Sequence, residues 1–299
     1  MAKYGALDTR MKTFYEQIPK TRLMRRTPVA IRLDGKAFHT FTRSLKKPFD
    51  EIFIKAMQDT MKYCCANIQG CVFGYCQSDE ITLILVDYQT LTNSAWFDYE
   101  VQKMCSVSAS MATLEFNRAF AKRVEEWRKE VYWPAQSRFS FDKEDIAKYS
   151  KILDKAITRG GEFDSRCFNI PKEEVTNLIF WRQNDASKNS VQMVGRAYFS
   201  SAELHKKTTS DIQDMLHEKF GINWNNFPTE QKRGAACIRA EKGWIIDHEM
   251  PILKGEGRAY VDNLIYIGED ENPKDKGRIC IAKIDPKSLV KPACRSKEE

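Results

Sequence analysis

The 299-residue chain carries 48 basic and 41 acidic side chains, a net charge of +7, and is 42% hydrophobic, enough to bury one substantial core or two smaller ones. No uninterrupted apolar run reaches the roughly 18 residues that a membrane span needs, and the start Met1-Ala2-Lys3-Tyr4-Gly5-Ala6-Leu7-Asp8 has no apolar signal region, so a cytoplasmic protein without a membrane partner is expected. Nine cysteines at irregular spacings, none in a Cys-x-x-Cys pair, and only four histidines argue for buried reduced thiols and against a disulfide framework, a zinc site or a haem site.

Apolar residues at 7, 11, 14, 15 and 18 predict a short helix. Lys20, Arg22, Arg25 and Arg26 then form a basic knot, either a grip on phosphates or a solvated connection. Pro28-Val29-Ala30-Ile31-Arg32-Leu33 is an apolar, β-branched run ending in Asp34-Gly35, hence a strand entering a turn. Gly35 permits close backbone approach to a phosphate, and Lys36, His39 and Lys47 are candidate donors there, although a lone histidine beside phenylalanine is more often structural. Asp50 reads as the N-cap of a helix reaching Ile68, along which Ile52, Phe53, Ala56, Met57, Thr60, Met61 and Cys64 recur at steps of three and four. Cys71 to Cys76, Gln77-Ser78-Asp79-Glu80 and Ile81 to Val86 read as strand, polar turn and strand, most simply a hairpin.

Helical periodicity returns from Asn93 to Trp127 and, more weakly, from Asp142 to Ile157. Glu162 to Pro171 predicts a strand leading into a helix over Lys172 to Trp181. If that helix continues, Arg182, Asp185 and Asn189 share one face, which suits RNA or nucleotide contact and equally an N-cap at Asp185. A helical piece over Ala202 to Lys206, a helix from Thr209 to Phe220 closed by Gly221, a loop with exposed aromatics over 223–228, and a hairpin formed by 235–240 and 243–247 are expected next. Beyond Pro251 the pattern predicts short strands as far as Ile284, then a frayed polar tail.

A strand, a crossing helix and a hairpin can bring Asp34 and the Asp79 turn side by side at one sheet edge. Two carboxylates there suit magnesium, which accepts a few carboxylates and keeps positions for phosphates and water. The same residues also read as an Asp-Gly turn and a solvated hairpin tip.

Four segments in order, Arg32-Leu33-Asp34-Gly35-Lys36-Ala37-Phe38-His39, Lys47-Pro48-Phe49-Asp50, Tyr75-Cys76-Gln77-Ser78-Asp79-Glu80 and Trp181-Arg182-Gln183-Asn184-Asp185, resemble the tRNA(His) guanylyltransferase family, and most of all its bacterial and archaeal guanylyltransferase-like branch. The resemblance implies an α+β fold, a polymerase palm-like (ferredoxin-like) antiparallel sheet with packed helices and a smaller C-terminal part. It divides the chain into a palm-like catalytic domain over 1–134, a part contributing to tRNA binding and assembly over 135–250, and a tail over 251–299. It further implies metal ligation by Asp34, Asp79 and the Gly35 carbonyl, two Mg2+ ions, and catalytic roles for Asp34, Asp79 and Glu80. The nucleotide site would comprise Asp34, Gly35, Lys36, Ala37, Phe38, His39, Lys47, Ser78, Asp79 and Asn189. Candidate RNA contacts are Arg25, Arg26, Arg182, Lys188, Lys232 and Arg233, and the family suggests a homotetramer.

The implied reaction is 3′-5′ nucleotidyl transfer: ATP or GTP activates a tRNA 5′-monophosphate, and the 3′-hydroxyl of an incoming nucleoside triphosphate then attacks it. Eukaryotic members carry His-Ile-Asn-Asn-Leu-Tyr-Asn where this chain has Ser187-Lys188-Asn189-Ser190-Val191-Gln192-Met193, keeping Asn189 alone at the matching place. That departure favours template-dependent repair of tRNA 5′ ends over guanylate addition at position −1. A nucleotide cyclase and a non-catalytic RNA-binding protein with a structural magnesium ion are the readings from other classes.

Overall fold

The computed structural model describes residues 5–90, 92–132 and 143–266. Its centre is a six-stranded sheet in the order β4-β1-β3-β2-β5-β6, every neighbour antiparallel. The strands are β1 (Val29–Gly35), β2 (Cys71–Gln77), β3 (Glu80–Leu85), β4 (Phe163–Asn169), β5 (Ala235–Ala240) and β6 (Gly243–Asp247). The helices are α1 (Ala6–Met11), α2 (Phe38–Phe41), α3 (Glu51–Asn67), α4 (Val101–Tyr132), α5 (Lys143–Arg159), α6 (Lys172–Tyr198), α7 (Thr209–Phe220), α8 (Thr229–Arg233) and α9 (Ala259–Ile265). The βαββαβ order of β1, α3, β2, β3, α4 with α5, and β4 is the ferredoxin-like palm expected from the sequence. The β5–β6 hairpin extends it beyond β2, so the sheet draws strands from both sides of residue 134.

Both faces are covered, which is why β1, β2 and β3 read as near-continuous apolar runs rather than alternating ones. On one face Ile31, Leu33, Ile81, Leu83 and Leu85 pack against α3 and α4. On the other, Ala30, Phe73, Tyr75, Ile84 and Val86 meet α6 and α9. The first face carries a knot of Phe38, Phe41, Phe53, Phe116 and Phe163, with ring centroids from 5.1 to 6.3 Å apart. Each such ring contributes about 1.5–3 kcal/mol by burial.

Asp50 caps α3 as expected, accepting from the Phe53 N–H at 3.1 Å and also from the Tyr149 hydroxyl. Gly221 closes α7 in the left-handed region at φ 66°. α6 runs unbroken through the Trp181 to Asp185 segment to Tyr198, settling the continuation that the sequence left open. Other expectations fail. Residues 93–100 hold only a 3-10 turn, Trp96–Tyr99, so α4 starts at Val101. Residues 201–206 are hydrogen-bonded turns instead of a helix. Trp224 and Phe227 are half-buried against Val191, Val194 and Leu216. Past Pro251, α9 replaces the expected strands, because Tyr260, Val261, Leu264 and Ile265 at helical spacing cover the second sheet face. The expected strands after residue 266 and the tail lie outside the described residues.

Candidate active site

The β2–β3 turn and the end of β1 meet at one end of the sheet. Asp34 stands opposite Glu80 in the β1–β3 register and opposite Asp164 in the β1–β4 register. The Gly35 N–H donates to the Asp79 carbonyl at 3.0 Å, tying the two carboxylate turns together. Gly35 has to be glycine: a Cβ there would lie 2.4 Å from the Phe38 ring. The aromatic knot therefore sets the path of the loop that follows Asp34. Ala37 at φ 55° and Ser78 at φ 49° are non-glycine residues in the left-handed region, at the two bends of the site, where such backbone is uncommon.

Asp34 is half-buried, and burial pushes the Asp79 carboxyl above its ordinary range, with the Asp34 charge adding to the rise and the Ser78 hydroxyl and His39 opposing it. Two facing carboxylates, one held in a poorly solvated turn, repel each other and are relieved by a cation. Hard oxygen donors fit Mg2+. Among the described residues no group of three or more His, Cys, Asp or Glu side chains is arranged to hold a metal ion, so the pair would bind one together with backbone oxygen, substrate phosphate and water.

Glu80 occupies a different place. It is 5% exposed and bridges Arg32 Nη2 at 2.6 Å and Arg182 Nε at 2.7 Å. Burial raises its pKa against the pull of both arginines. Arg182 goes on to Asp185 at 2.8 Å, and Asn189 donates to the same Asp185 oxygen at 3.2 Å, so the expected shared face of Arg182, Asp185 and Asn189 exists. Arg182, at 6% exposed, is a buried strut between α6 and β3, which corrects its expected part as an RNA contact. Gln183, also buried, holds the 251–253 segment through the Pro251 carbonyl and the Leu253 N–H.

The remaining expected residues divide. Lys36 is exposed and pairs with Glu162 at 2.7 Å, while His39 is exposed beside the Asp79 turn. The Lys47 ammonium donates to the Thr42 carbonyl at 2.8 Å, and local desolvation lowers its pKa. Phe38 is 2% exposed and offers a ligand only its backbone. Lys188 is exposed on α6. Lys232 donates to the Asn225 carbonyl at 2.6 Å; Arg233 follows it on α8, ahead of Ala235, which pairs with Cys76 close to the Asp79 turn. Arg25 and Arg26 lie at the far end of β1. Arg25 Nε donates to Asp87 at 2.5 Å and the Arg26 N–H to the same carboxylate at 2.8 Å; the Arg25 guanidinium also meets Asp98, while the Arg26 side chain is exposed.

The sequence reading missed Arg32, Asp164 and Arg166. Their signal is a polar residue every second position beside Asp34: Arg32 precedes it on β1, and Arg166 and Asp164 face Arg32 and Asp34 from β4.

The family model described as tRNAHis guanylyltransferase matches residues 8–171, more than half of the chain. The chain belongs to the tRNA(His) guanylyltransferase family. A bacterial tRNA(His) guanylyltransferase-like protein solved in complex with ATP is 37% identical, with a TM-score of 0.71, over 88% of this chain and 100% of that one. A bacterial guanylyltransferase-like protein in complex with GTP is 35% identical, with a TM-score of 0.66 and the same coverage. A probable tRNA(His) guanylyltransferase from Dictyostelium discoideum is 24% identical over 260 residues, 83% of this chain and 88% of that one. Family membership makes this chain a nucleotidyltransferase. The family match spans both carboxylate turns and β4, whereas Arg182, Asn189 and α8 lie beyond it.

Proposed function

We propose that the protein is a magnesium-dependent, template-dependent 3′-5′ nucleotidyltransferase that repairs tRNA 5′ ends. The observation that carries this is the pairing of Asp34 with the Asp79 turn at one end of a palm-like sheet, in a family whose solved bacterial relatives hold ATP and GTP. In the first step an oxygen of the tRNA 5′-monophosphate attacks the α-phosphorus of ATP or GTP, expelling pyrophosphate. In the second the 3′-hydroxyl of an incoming nucleotide attacks the activated 5′ phosphorus, expelling the nucleoside monophosphate.

Asp34, Asp79 and the Gly35 carbonyl would hold the cations, which when bound acidify the attacking hydroxyl and stabilise charge on the leaving group. The chain's own residues do the rest. The 34–39 loop, fixed by the Phe38 ring, presents backbone and the Lys36 ammonium to phosphates. Glu80 keeps Arg32 and Arg182 in place behind Asp34 and so acts as a positioning residue. No nucleophilic side chain is required, since both attacking groups belong to the substrates.

Repair is preferred to guanylate addition because of the 187–193 segment: Ser190 is buried and accepts from the Trp224 indole N–H at 3.0 Å, and Val191 is core, so only Ser187, Lys188, Asn189, Gln192 and Met193 offer any surface there. The test compares two substrates with Mg2+, ATP and labelled nucleotides. Repair predicts faster templated extension of a 5′-monophosphorylated tRNA lacking its first nucleotide than of intact tRNA(His); the reverse preference favours guanylate addition. Steeply salt-dependent RNA binding with no incorporation would leave only the non-catalytic reading. Assembly as a homotetramer in the cytoplasm is part of the same proposal and is read by light scattering and cell fractionation.

A further inference from the structure

The edge strand β4 is fastened to α4 by a ladder of small polar side chains. The Asn117 amide bonds both the N–H and the carbonyl of Gly161, at 2.8 and 2.9 Å. Thr113 Oγ1 accepts from the Phe163 N–H at 3.0 Å, and the Ser108 and Ser165 hydroxyls lie 2.7 Å apart. The next rung is a pair of thiols. Cys105 on α4 and Cys167 on β4 place their sulfurs 3.6 Å apart, across 62 residues of chain.

Both are free thiols and both are half-buried, within reach of a small oxidant, whereas Cys64, Cys65, Cys76 and Cys237 are buried. Cys65 also touches other thiols, Cys71 and Cys237, but is only 2% exposed. Two sulfurs already in van der Waals contact need little more than side-chain rotation to bond, provided that their backbones are close, and the hydrogen-bonded rungs beside them hold α4 and β4 together. As packing, the rung asks only for small side chains; reactivity is what cysteine adds. The strand it would fasten matters, because β4 pairs Cys167 with Ile31 and, three positions back, Asp164 with Asp34.

We propose that Cys105 and Cys167 are a reversible oxidation site, at which hydrogen peroxide forms a disulfide that staples β4 to α4. The Cys105 sulfur attacks the peroxide O–O bond, becoming a sulfenic acid and releasing one water. The Cys167 sulfur then attacks the sulfenic sulfur, and the expelled hydroxide leaves as a second water with the Cys167 proton. Two thiols lose two electrons and one peroxide gains them. Burial, with Cys105 beside it, pushes the Cys167 thiol up to about 12, so Cys167 stays protonated at neutral pH and serves as the resolving partner. In a reducing cytosol the dithiol is the resting form. This site stands apart from the reacting groups and does not rest on the nucleotidyl-transfer reading.

The experiment treats the full-length chain with a slight excess of hydrogen peroxide, blocks the remaining thiols with iodoacetamide and maps non-reduced tryptic peptides. Cleavage after Lys103, Arg118, Arg166 and Lys172 isolates the two cysteines on separate peptides, 104–118 and 167–172. These should appear joined, lighter by two hydrogens than their sum, and separate again in dithiothreitol. The staple closes a long loop in the unfolded chain, so the oxidised protein should melt about 5 °C or more above the reduced one, and amide exchange over 163–169 should slow. Cys105→Ser and Cys167→Ser, each checked for folding in reductant, should lose both the joined peptides and the rise in melting temperature. The proposal is overturned if another cysteine pair joins first, if the bond links two chains on a non-reducing gel, or if peroxide carries either thiol to a sulfinic acid with no joined product. A melting temperature unmoved by a completely formed bond would equally overturn the staple. Should a serine variant not fold, the peptide map and melting temperature of the unsubstituted chain decide by themselves.

Discussion

The two ends of the β1–β3 pair are built from the same residue types and do different things. At the end where Val29 meets Leu85, Asp87 is 1% exposed and fully answered: the Arg25 guanidinium and the Arg26 N–H both donate to it, and Arg22 and Arg25 take Asp98. At the end where Asp34 meets Glu80, only Glu80 is answered, by Arg32 and Arg182. Asp34 meets one arginine, Arg166, at 3.6 Å, and Asp79 is pushed toward its neutral form by burial and by its neighbour. An acidic cluster that brings its own arginines is a fastening. One left short of positive charge at the mouth of a sheet is a place for a cation and a polyanion, and it costs the empty protein stability.

The comparison breaks most sharply at the under-neutralised end. Asp34→Ala and Asp79→Ala should each lower nucleotide incorporation by about 10³-fold or more, the scale of lost electrostatic groups in a water-poor site, with tRNA affinity nearly intact in a binding assay. Loss of binding to the same extent would make these carboxylates structural. Glu80→Gln should lower kcat by about 10- to 100-fold, as loss of a supporting contact does, and a matching drop from Arg182→Met would show that both work through one network. At the saturated end, Asp87→Asn should cost about 1–3 kcal/mol in chemical denaturation, since the buried Asp87 side chain loses the charge that holds the Arg25 guanidinium and the Arg26 N–H, while incorporation stays unchanged.

The smallest effect is the most diagnostic. The raised pKa of Asp79 means that the folded state prefers the proton, so the contribution of this group to stability is fully present below the unfolded carboxylate range and is lost as pH rises through the folded pKa. In EDTA at pH 7, Asp79→Asn should therefore melt slightly higher than the unsubstituted protein, and the difference should vanish in acid. A lower melting temperature would show that the Asp79 charge is satisfied within the fold.

Most of this architecture was legible in the sequence. Apolar runs ending in Asp34 and the Asp79 turn fixed β1, β2 and β3, and three-and-four spacing fixed α3, because periodicity reports burial directly. What escaped depended on partners far along the chain. Arg25 read as a phosphate grip or a solvated connection; its guanidinium pairs with Asp87, some sixty residues on, which no local pattern could show. Arg182 read as a surface donor because a short basic motif does not reveal a buried Glu80. Arg166 looked like any charged residue on a strand; cross-strand register, invisible before pairing is known, puts it beside Asp34. The segment from 255 to 265 was misread because glycine and charge at its start hide a helix whose apolar face needs the sheet to define it.

The most direct test supplies 5′-monophosphorylated tRNA lacking its first nucleotide, ATP, Mg2+ and labelled nucleoside triphosphates to the unsubstituted protein, Asp34→Ala and Asp87→Asn. Label should appear at the RNA 5′ end with the unsubstituted protein and with Asp87→Asn, and be absent with Asp34→Ala. No label with the unsubstituted protein, or undiminished label with Asp34→Ala, would contradict nucleotidyl transfer at the Asp34–Asp79 end of the sheet.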